Sequence, residues 1–319
     1  MNFRRIILIV AATAAVFTSC KKDETDEVKP YISGAMSIHG LPEFVSPGKI
    51  YTLTATGAVK PEDKEMKYIW KVSPVMDKYD TIDVFSYSFK DTLCTFTIYC
   101  NAIADGYTSN STFAQTTSVK AGRDGSVQGI DFYTVENIKD KYRCIGIGTD
   151  LWSVDNLAEG NSLAFRSAEV MADIFGRFYT YEEAVSACES LSGGWTLPTK
   201  EDWERLEANI RTTIPSEKSL ASAMMANVTF NGDPMWEYWP AVGDITNSSF
   251  FSAIPVGYAN TATGKFSGVY EYAAFWTATS VEDDDTMAYY KYLICDESDI
   301  YTGKADKKSF GASVRCIRK

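Results

Sequence analysis

Histidine is all but missing: His39 is the only one among 319 residues. It sits in HGLPEF with no cysteine or acidic cluster at zinc-ligand spacing. A serine or cysteine nucleophile worked by an imidazole would need that same residue. Most histidine-dependent chemistry is thereby excluded, and His39 reads as a loop residue at a domain edge. Basic charge is scarce too. Lys and Arg number 31 against 42 Asp and Glu, a net charge of −11, and removing residues 1–19 takes Arg4 and Arg5 with no acid, leaving −13. Such a surface repels phosphate backbones, so nucleic acid is excluded as a partner. Internal repeats and low-complexity stretches are absent. The apolar run Ile6 to Phe17 is twelve residues long, short of the roughly 20 that a membrane-crossing helix needs.

That run follows two arginines and reads as the apolar part of a signal peptide over residues 1–19. Phe17-Thr18-Ser19-Cys20 resembles a bacterial lipobox, which implies diacylglycerol on Cys20. Each buried methylene contributes about 0.8 kcal/mol, so one acyl chain binds marginally and two or three anchor durably. Residues 20–30 form the tether. Within it Lys21-Lys22-Asp23-Glu24 resembles a sorting signal for the outer face of an outer membrane, and also reads as a plain solvated linker. The expectation is a lipid-anchored protein facing the cell exterior.

Two domains are expected after the tether. From Tyr31 to Ala121, short alternating runs such as SPGKIYTLTATG, EMKYIWKV and DTLCTFTIYC are separated by turn residues, which predicts an antiparallel sandwich with Trp70 at its centre. In LCTFTIYC, Cys94, Phe96, Ile98 and Cys100 share one face. Six residues of strand put the two cysteines roughly 20 Å apart, where a disulfide wants Cα atoms about 5.5 Å apart, so they read as small buried hydrophobes. The order of pieces resembles immunoglobulin-like or PKD-like modules, although the WDFGDG signature of PKD domains is missing. The glycine-rich stretch AGRDGSVQG marks the boundary, with residues 122–128 as linker.

Residues 129–319 mix helix and strand. Thr180 and Glu183 form a capping box ahead of the apolar stripe Ala184, Val185, Cys188 and Leu191, with Gly193 as stop. Thr199 caps a second helix that turns Trp203, Leu206 and Ile210 inward, and SEKSLASAMMAN predicts a third. FFSAIPVGYA, AAFWTATS, AYYKYLIC and ASVRCIRK read as strands. In the last of these, Val314 and Cys316 share one face while Ser313, Arg315 and Ile317 take the other. The sum is an α+β domain.

Two segments could bind a ligand. PMWEYWP places Trp236, Tyr238 and Trp239 between glycines and prolines, as loops that present aromatic faces to sugars or proteins do; the same tryptophans also read as core, or as a strand with one buried face. In VEDDDT, Glu282 and the run Asp283, Asp284 and Asp285 offer hard oxygen ligands for calcium, or simply a solvated loop.

YRCIGIGTDLWSVDNL, YTYEEAVSACESLSGGWTLPTKEDWERL, FFSAIPVGYANTATGKFSGVYEYAAFWTATS and GASVRCIRK, in that order, resemble the Fibrobacter succinogenes major paralogous domain from about residue 129 onward. That family is similar to the C-type lectin-like superfamily, which includes the formylglycine-generating oxidases. The resemblance implies an immunoglobulin-like sandwich followed by a C-type-lectin-like domain, with Trp195, Leu197, Pro198, Thr199 and Trp203 as scaffold. It also implies a disulfide between Cys188 and Cys316, worth about 4 to 5 kcal/mol in the chain-entropy model. Cys144 and Cys295 are left either to pair or to remain two buried thiols. The oxidases' close copper-binding cysteine pair has no counterpart, since Cys295 and Cys316 are twenty-one positions apart. The Glu-Pro-Asn and Trp-Asn-Asp motifs of calcium lectins are absent. Expected, then, is a non-enzymatic surface lipoprotein without a cofactor that binds a glycan or a surface or host protein, or else an accessory part of a surface assembly.

Overall fold

The computed structural model describes residues 29–75, 77–90, 95–120, 127–128, 136–138, 142–215 and 218–319. The signal peptide, Cys20, Cys94 and most of the glycine-rich joint lie outside the described residues. The chain is mostly β-sheet, arranged in several small sheets.

The N-terminal strands are β1 (Ser37–His39), β2 (Phe44–Val45), β3 (Ile50–Thr56), β4 (Met66–Ser73), β5 (Asp77–Thr81), β6 (Val84–Ser88), β7 (Thr95–Ala104) and β8 (Asn110–Ser118). They form a five-stranded sheet in the order β2-β8-β7-β4-β5 and a three-stranded sheet in the order β1-β3-β6. β2 runs parallel to β8, and the other pairings are antiparallel. Both sheets contribute to one core because their side chains alternate: Tyr68, Trp70 and Val72 of β4 and Phe96, Ile98 and Cys100 of β7 meet Leu53, Phe85 and Tyr87 from across. Trp70 is fully buried as expected. It stacks on Phe85 at 5.2 Å and donates its indole N–H to the Ile82 carbonyl at 3.1 Å. Burial pushes the Cys100 thiol up to about 12, as suits a small hydrophobe. His39 ends β1 as an exposed strand residue, rather than lying in a loop, and its Nε2 bonds the hydroxyls of Ser37 and Thr56.

Beyond residue 142 a three-stranded antiparallel sheet, Tyr272–Val281, Asp284–Ile294 and Tyr301–Asp306, separates two cores. On one face Ala273, Phe275 and Leu293 pack against Trp203, Leu206 and Ile210 of the helix Lys200–Thr213. On the other, Ala274, Trp276 and Ala288 meet Ala184, Ala187 and Cys188 of the helix Tyr181–Glu189, together with Trp195 and Leu197. Both helix starts follow the expected caps. Glu183 accepts from the Thr180 N–H at 2.8 Å, and Thr199 accepts from the Asp202 N–H at 3.2 Å while Asp202 answers at 2.9 Å. A third core, around Phe165, Phe175, Phe178 and Phe230, takes in Val119 and the edge of Phe44 from the N-terminal part.

Cys188 and Cys316 form a disulfide across 128 positions with Cα atoms 5.7 Å apart. Cys144 and Cys295 are each a buried thiol, the second of the two readings left open. Three expected elements come out differently. The third helix shrinks to Leu220–Met224, started by the Ser219 hydroxyl. FFSAIPVGYA is strand only from Tyr258, because Phe250 and Ser252 adopt left-handed backbone, φ 57° each. The terminal segment is strand only over Ile317–Arg318, although Val314 and Cys316 do face one core and Ile317 the other.

One residue bears on the irregular path at Phe250 to Ser252. Arg315 is completely buried, and its guanidinium donates to carbonyls from two distant segments. It reaches Ser153 and Phe251 at 3.1 Å each, Ser252 at 3.0 Å and also Val154, while its Nε donates to Asn156 Oδ1 at 2.8 Å. Carbonyls turned inward toward a cation leave the neighbouring strand ladders, so the chain there is irregular.

Candidate binding surface

The segment 228–244 rises out of the core and returns to it. Asn231 and Gly232, both left-handed, turn the chain after Thr229–Phe230, and Met235 N–H bonds back to the Val228 carbonyl at 3.0 Å. Trp236 then drops into the core, 5% exposed, with its indole N–H on the Ala253 carbonyl at 3.0 Å. Val242 re-enters the core on the far side. Between these two anchors Tyr238 is 71% exposed and Trp239 is 41% exposed. The Trp239 carbonyl accepts from the N–H groups of Val242 and Gly243 at 3.1 and 3.0 Å, and Gly243 takes the positive φ, 74°, that closes the turn. Ser219 and Ser222 brace it by donating their hydroxyls to the carbonyls of Val242 and Asp244. Beside the turn lies a hollow of about 350 Å³ lined by Lys218, Ser219, Pro240, Ala241, Asp244 and Ser298.

The structure thus divides the three expected aromatic residues. Tyr238 and Trp239 share the surface, and Trp236 is a core residue, since a ring whose N–H and faces are engaged inside presents nothing to a ligand. Neither Tyr238 nor Trp239 stacks on another ring among the described residues.

The Cys295 thiol is buried, and its backbone N–H bonds the Glu271 carbonyl at 2.8 Å. Burial pushes this thiol up to about 11, reinforced by the charges of Asp296, Glu237 and Glu271 and opposed by a hydrogen bond with the Trp239 side chain. Glu237, Glu271 and Asp296 are all exposed. Lys291 pairs with Glu207 and Arg211 with Asp299.

Asp283, Asp284 and Asp285 lie exposed at the turn between Tyr272–Val281 and Asp284–Ile294. Asp284 folds onto Thr286, accepting from its N–H at 3.0 Å and its hydroxyl at 2.6 Å, which holds the carboxyl below the usual carboxylate range. Among the described residues no three acidic, cysteine or histidine side chains are grouped to hold a metal ion. The acidic run lies exposed in this hairpin turn.

A second aromatic surface was not expected. Tyr258, Tyr272, Tyr290, Tyr292, Tyr301 and Phe310 lie half-buried along one face of the central sheet. Tyr272 and Tyr292 stack at 4.8 Å and 15°, Tyr292 and Tyr301 at 5.7 Å and 28°, so the rings cover one another and solvent meets their edges. Gly303 admits Tyr290 across the sheet, because a Cβ there would stand 2.5 Å from its ring. This row packs ring on ring along the sheet. The Tyr-x-Tyr spacing in AYYKYLIC was the available signal.

Residues 101–318 match the family described as the Fibrobacter succinogenes major domain, a match that begins inside β7 and so earlier than residue 129. No curated protein matches the chain.

Proposed function

Because the chain belongs to the Fibrobacter succinogenes major domain family, we propose that it is a non-enzymatic binding module of the cell surface. In this reading Cys20 carries lipid in the outer membrane, with the protein facing the exterior. Residues 31–121 are an immunoglobulin-like stalk, and the following C-type-lectin-like domain holds a glycan or protein at Tyr238 and Trp239. The observation that carries it is the exposed aromatic pair, fixed by the buried Trp236 and Val242 beside a polar hollow. Rings held rigidly in water lose little entropy on binding, which is what makes such residues effective anchors. Against catalysis stands Cys316: its sulfur is bonded to Cys188 and cannot act as a thiolate.

A glycan and host-protein array probed with residues 21–319, with and without calcium, tests the reading. Binding that is lost in Tyr238→Ala/Trp239→Ala supports it, and binding indifferent to both substitutions defeats it. For anchoring, a palmitate analogue should label the wild-type protein and spare Cys20→Ala. The assembly reading draws on a different feature, the cross-strand pair Tyr99 and Phe113 exposed on the outer face of β7 and β8 with rings 6.1 Å apart.

A further inference from the structure

The outer face of the five-stranded sheet carries a pattern that the aromatic turn does not use. The strand registers place Phe113 of β8 opposite Tyr99 of β7, Tyr99 opposite Lys71 of β4, and Lys71 opposite Lys78 of β5. Two aromatic residues and two lysines therefore stand in one row across four strands set about 4.8 Å apart. Lys67 stands on the same face of β4, one full repeat before Ile69 and Lys71. The rings lie open to solvent, Tyr99 at 40% and Phe113 at 63% exposure, with centroids 6.1 Å apart.

Charge singles this face out. Residues 31–121 hold eight Lys against nine Asp and Glu, a net charge of −1, so most of the protein's −11 lies elsewhere in the chain. None of Lys67, Lys71 and Lys78 is engaged in an ion pair among the described residues, whereas Lys200 and Lys291 beyond residue 142 are held by Glu204 and Glu207. The acidic position on this face is Asp80, opposite Ile69 on the edge strand. Lysines without an internal partner can take anions from outside, and rings that meet water gain by being covered.

A matching ligand must set an apolar ring face and an anion side by side, as Tyr99 and Lys71 are. A sugar ring bearing a carboxylate does both: its C–H face lies on an aromatic ring, and its carboxylate reaches the lysine on the next strand. An acidic peptide supplies the anions without a sugar's ring face. Single-stranded nucleic acid needs a groove of cations along its length, and three lysines do not make one. An anionic bilayer is a plane, and would also face the exposed Glu62, Asp63 and Glu65 of the loop that leads into β4. One polymer strand laid across the sheet meets the row alone.

We propose that this face binds an acidic polysaccharide, with Tyr99 and Phe113 stacking on its sugar rings and Lys67, Lys71 and Lys78 pairing with its carboxylates. The site gives the N-terminal sheets a ligand of their own and does not rest on the Tyr238–Trp239 turn. Each exposed ion pair is weak alone, so affinity comes from the row as a whole and falls as salt screens it.

The test is fluorescence anisotropy of residues 20–319 carrying Cys20→Ser with four labelled probes: a uronic-acid oligosaccharide, its methyl ester, a polyglutamate peptide and a single-stranded oligonucleotide. The acidic oligosaccharide should bind, with the methyl ester at least tenfold weaker. Binding should weaken about tenfold in Lys67→Gln/Lys71→Gln/Lys78→Gln and again about tenfold in Tyr99→Thr/Phe113→Thr, a loss of about 1.4 kcal/mol each, and should survive Tyr238→Ala/Trp239→Ala. Threonine suits a strand, so melting curves should stay unchanged beside the loss. Polyglutamate or the oligonucleotide binding as tightly would assign the face to an acidic protein or a nucleic acid and overturn the proposal. Oligosaccharide binding indifferent to Tyr99→Thr/Phe113→Thr would mean diffuse attraction and overturn it, as would no binding at all. Binding lost only in Tyr238→Ala/Trp239→Ala would overturn it while leaving the binding-module reading intact.

Discussion

The N-terminal sheets and the region beyond residue 142 keep their cores closed by different means. In the first, strands of up to ten residues alternate inward and outward, so the backbone ladder satisfies its own polar groups and one core lies between two sheets. In the second, many strands are two or three residues long and side chains take over backbone satisfaction. Arg315 holds carbonyls of residues 153, 154, 251 and 252, Trp276 donates to the Tyr179 carbonyl at 2.7 Å, and Asn156 donates to the Phe175 carbonyl at 3.0 Å. A repeating pattern spreads its stability over many positions, whereas cross-tied loops concentrate it in a few. Single substitutions should therefore be much more damaging in the second region than their surface area suggests.

The largest effect should come from the disulfide. Cys188→Ala should cost the second region about 4 to 5 kcal/mol in the chain-entropy model, with the N-terminal sheets unaffected. Differential scanning calorimetry reads the effect, and non-reducing peptide mapping of the wild type should recover a 188-to-316 crosslinked peptide. Free thiols at both positions would remove the contrast at its root. Next is Arg315→Met, which leaves buried carbonyls unsatisfied and should destabilise the same region by about 3 to 5 kcal/mol. A loss under about 1 kcal/mol would mean that the loops hold their shape without the guanidinium.

A third substitution asks how separate the regions are. Phe44 of β2 packs 5.9 Å from Phe165 and 6.3 Å from Phe230, and the neighbouring Glu43 pairs with Arg166. Phe44→Ala should cost about 2 kcal/mol, below the range for a fully buried ring because Phe44 is half-buried. It should also widen the separation between the thermal transitions of the two regions, read by differential scanning calorimetry. If the transitions do not move relative to each other, the contact transmits nothing.

The smallest effect is acid-dependent. Asp202 is buried, which alone would raise its pKa, but hydrogen bonds from Lys319, the Thr199 N–H and Arg205 outweigh this and hold it below the usual value. A carboxyl depressed on folding contributes stability that is fully present above its unfolded pKa and is lost as pH falls through the folded one. Thr199 and Asp202 together start the helix Lys200–Thr213. Asp202→Asn should therefore cost about 1 kcal/mol at neutral pH and progressively less as the buffer is taken below about pH 4. Equal destabilisation at pH 7 and at pH 2 would show that the charge is irrelevant.

How far the fold could be read from sequence follows the same division. Trp70, Phe96 and Ile98 were legible as core because a two-residue period leaves no other face for them, and Thr180, Thr199 and Trp203 because caps and helical spacing are local signals. Phe250 to Val256 was not, because its irregular path answers to Arg315 more than sixty positions later, beyond the reach of any local window. For Trp236 the sequence leaves surface and core both open, since composition alone does not say which of three aromatic residues finds the Ala253 carbonyl. The flanking glycines and prolines do mark the turn that leaves Tyr238 and Trp239 exposed.

Residues 312–318 supply Ala312, Val314 and Cys316 to one core, Ile317 to another and Arg315 to the carbonyl cage. A nascent chain that has not yet reached residue 317 thus carries Trp152 without the strand partner it later pairs with, and loops 153–156 and 250–252 with nothing to bind their carbonyls. The N-terminal sheets are complete once Ser118 has been made. The two regions therefore differ in how much chain they need: the N-terminal sheets need nothing beyond Ser118, whereas the second region needs the strand Ile317–Arg318. Chains that lack residues 312–318 should therefore leave apolar surface of the second region open to proteases and to self-association, while the N-terminal sheets stay intact.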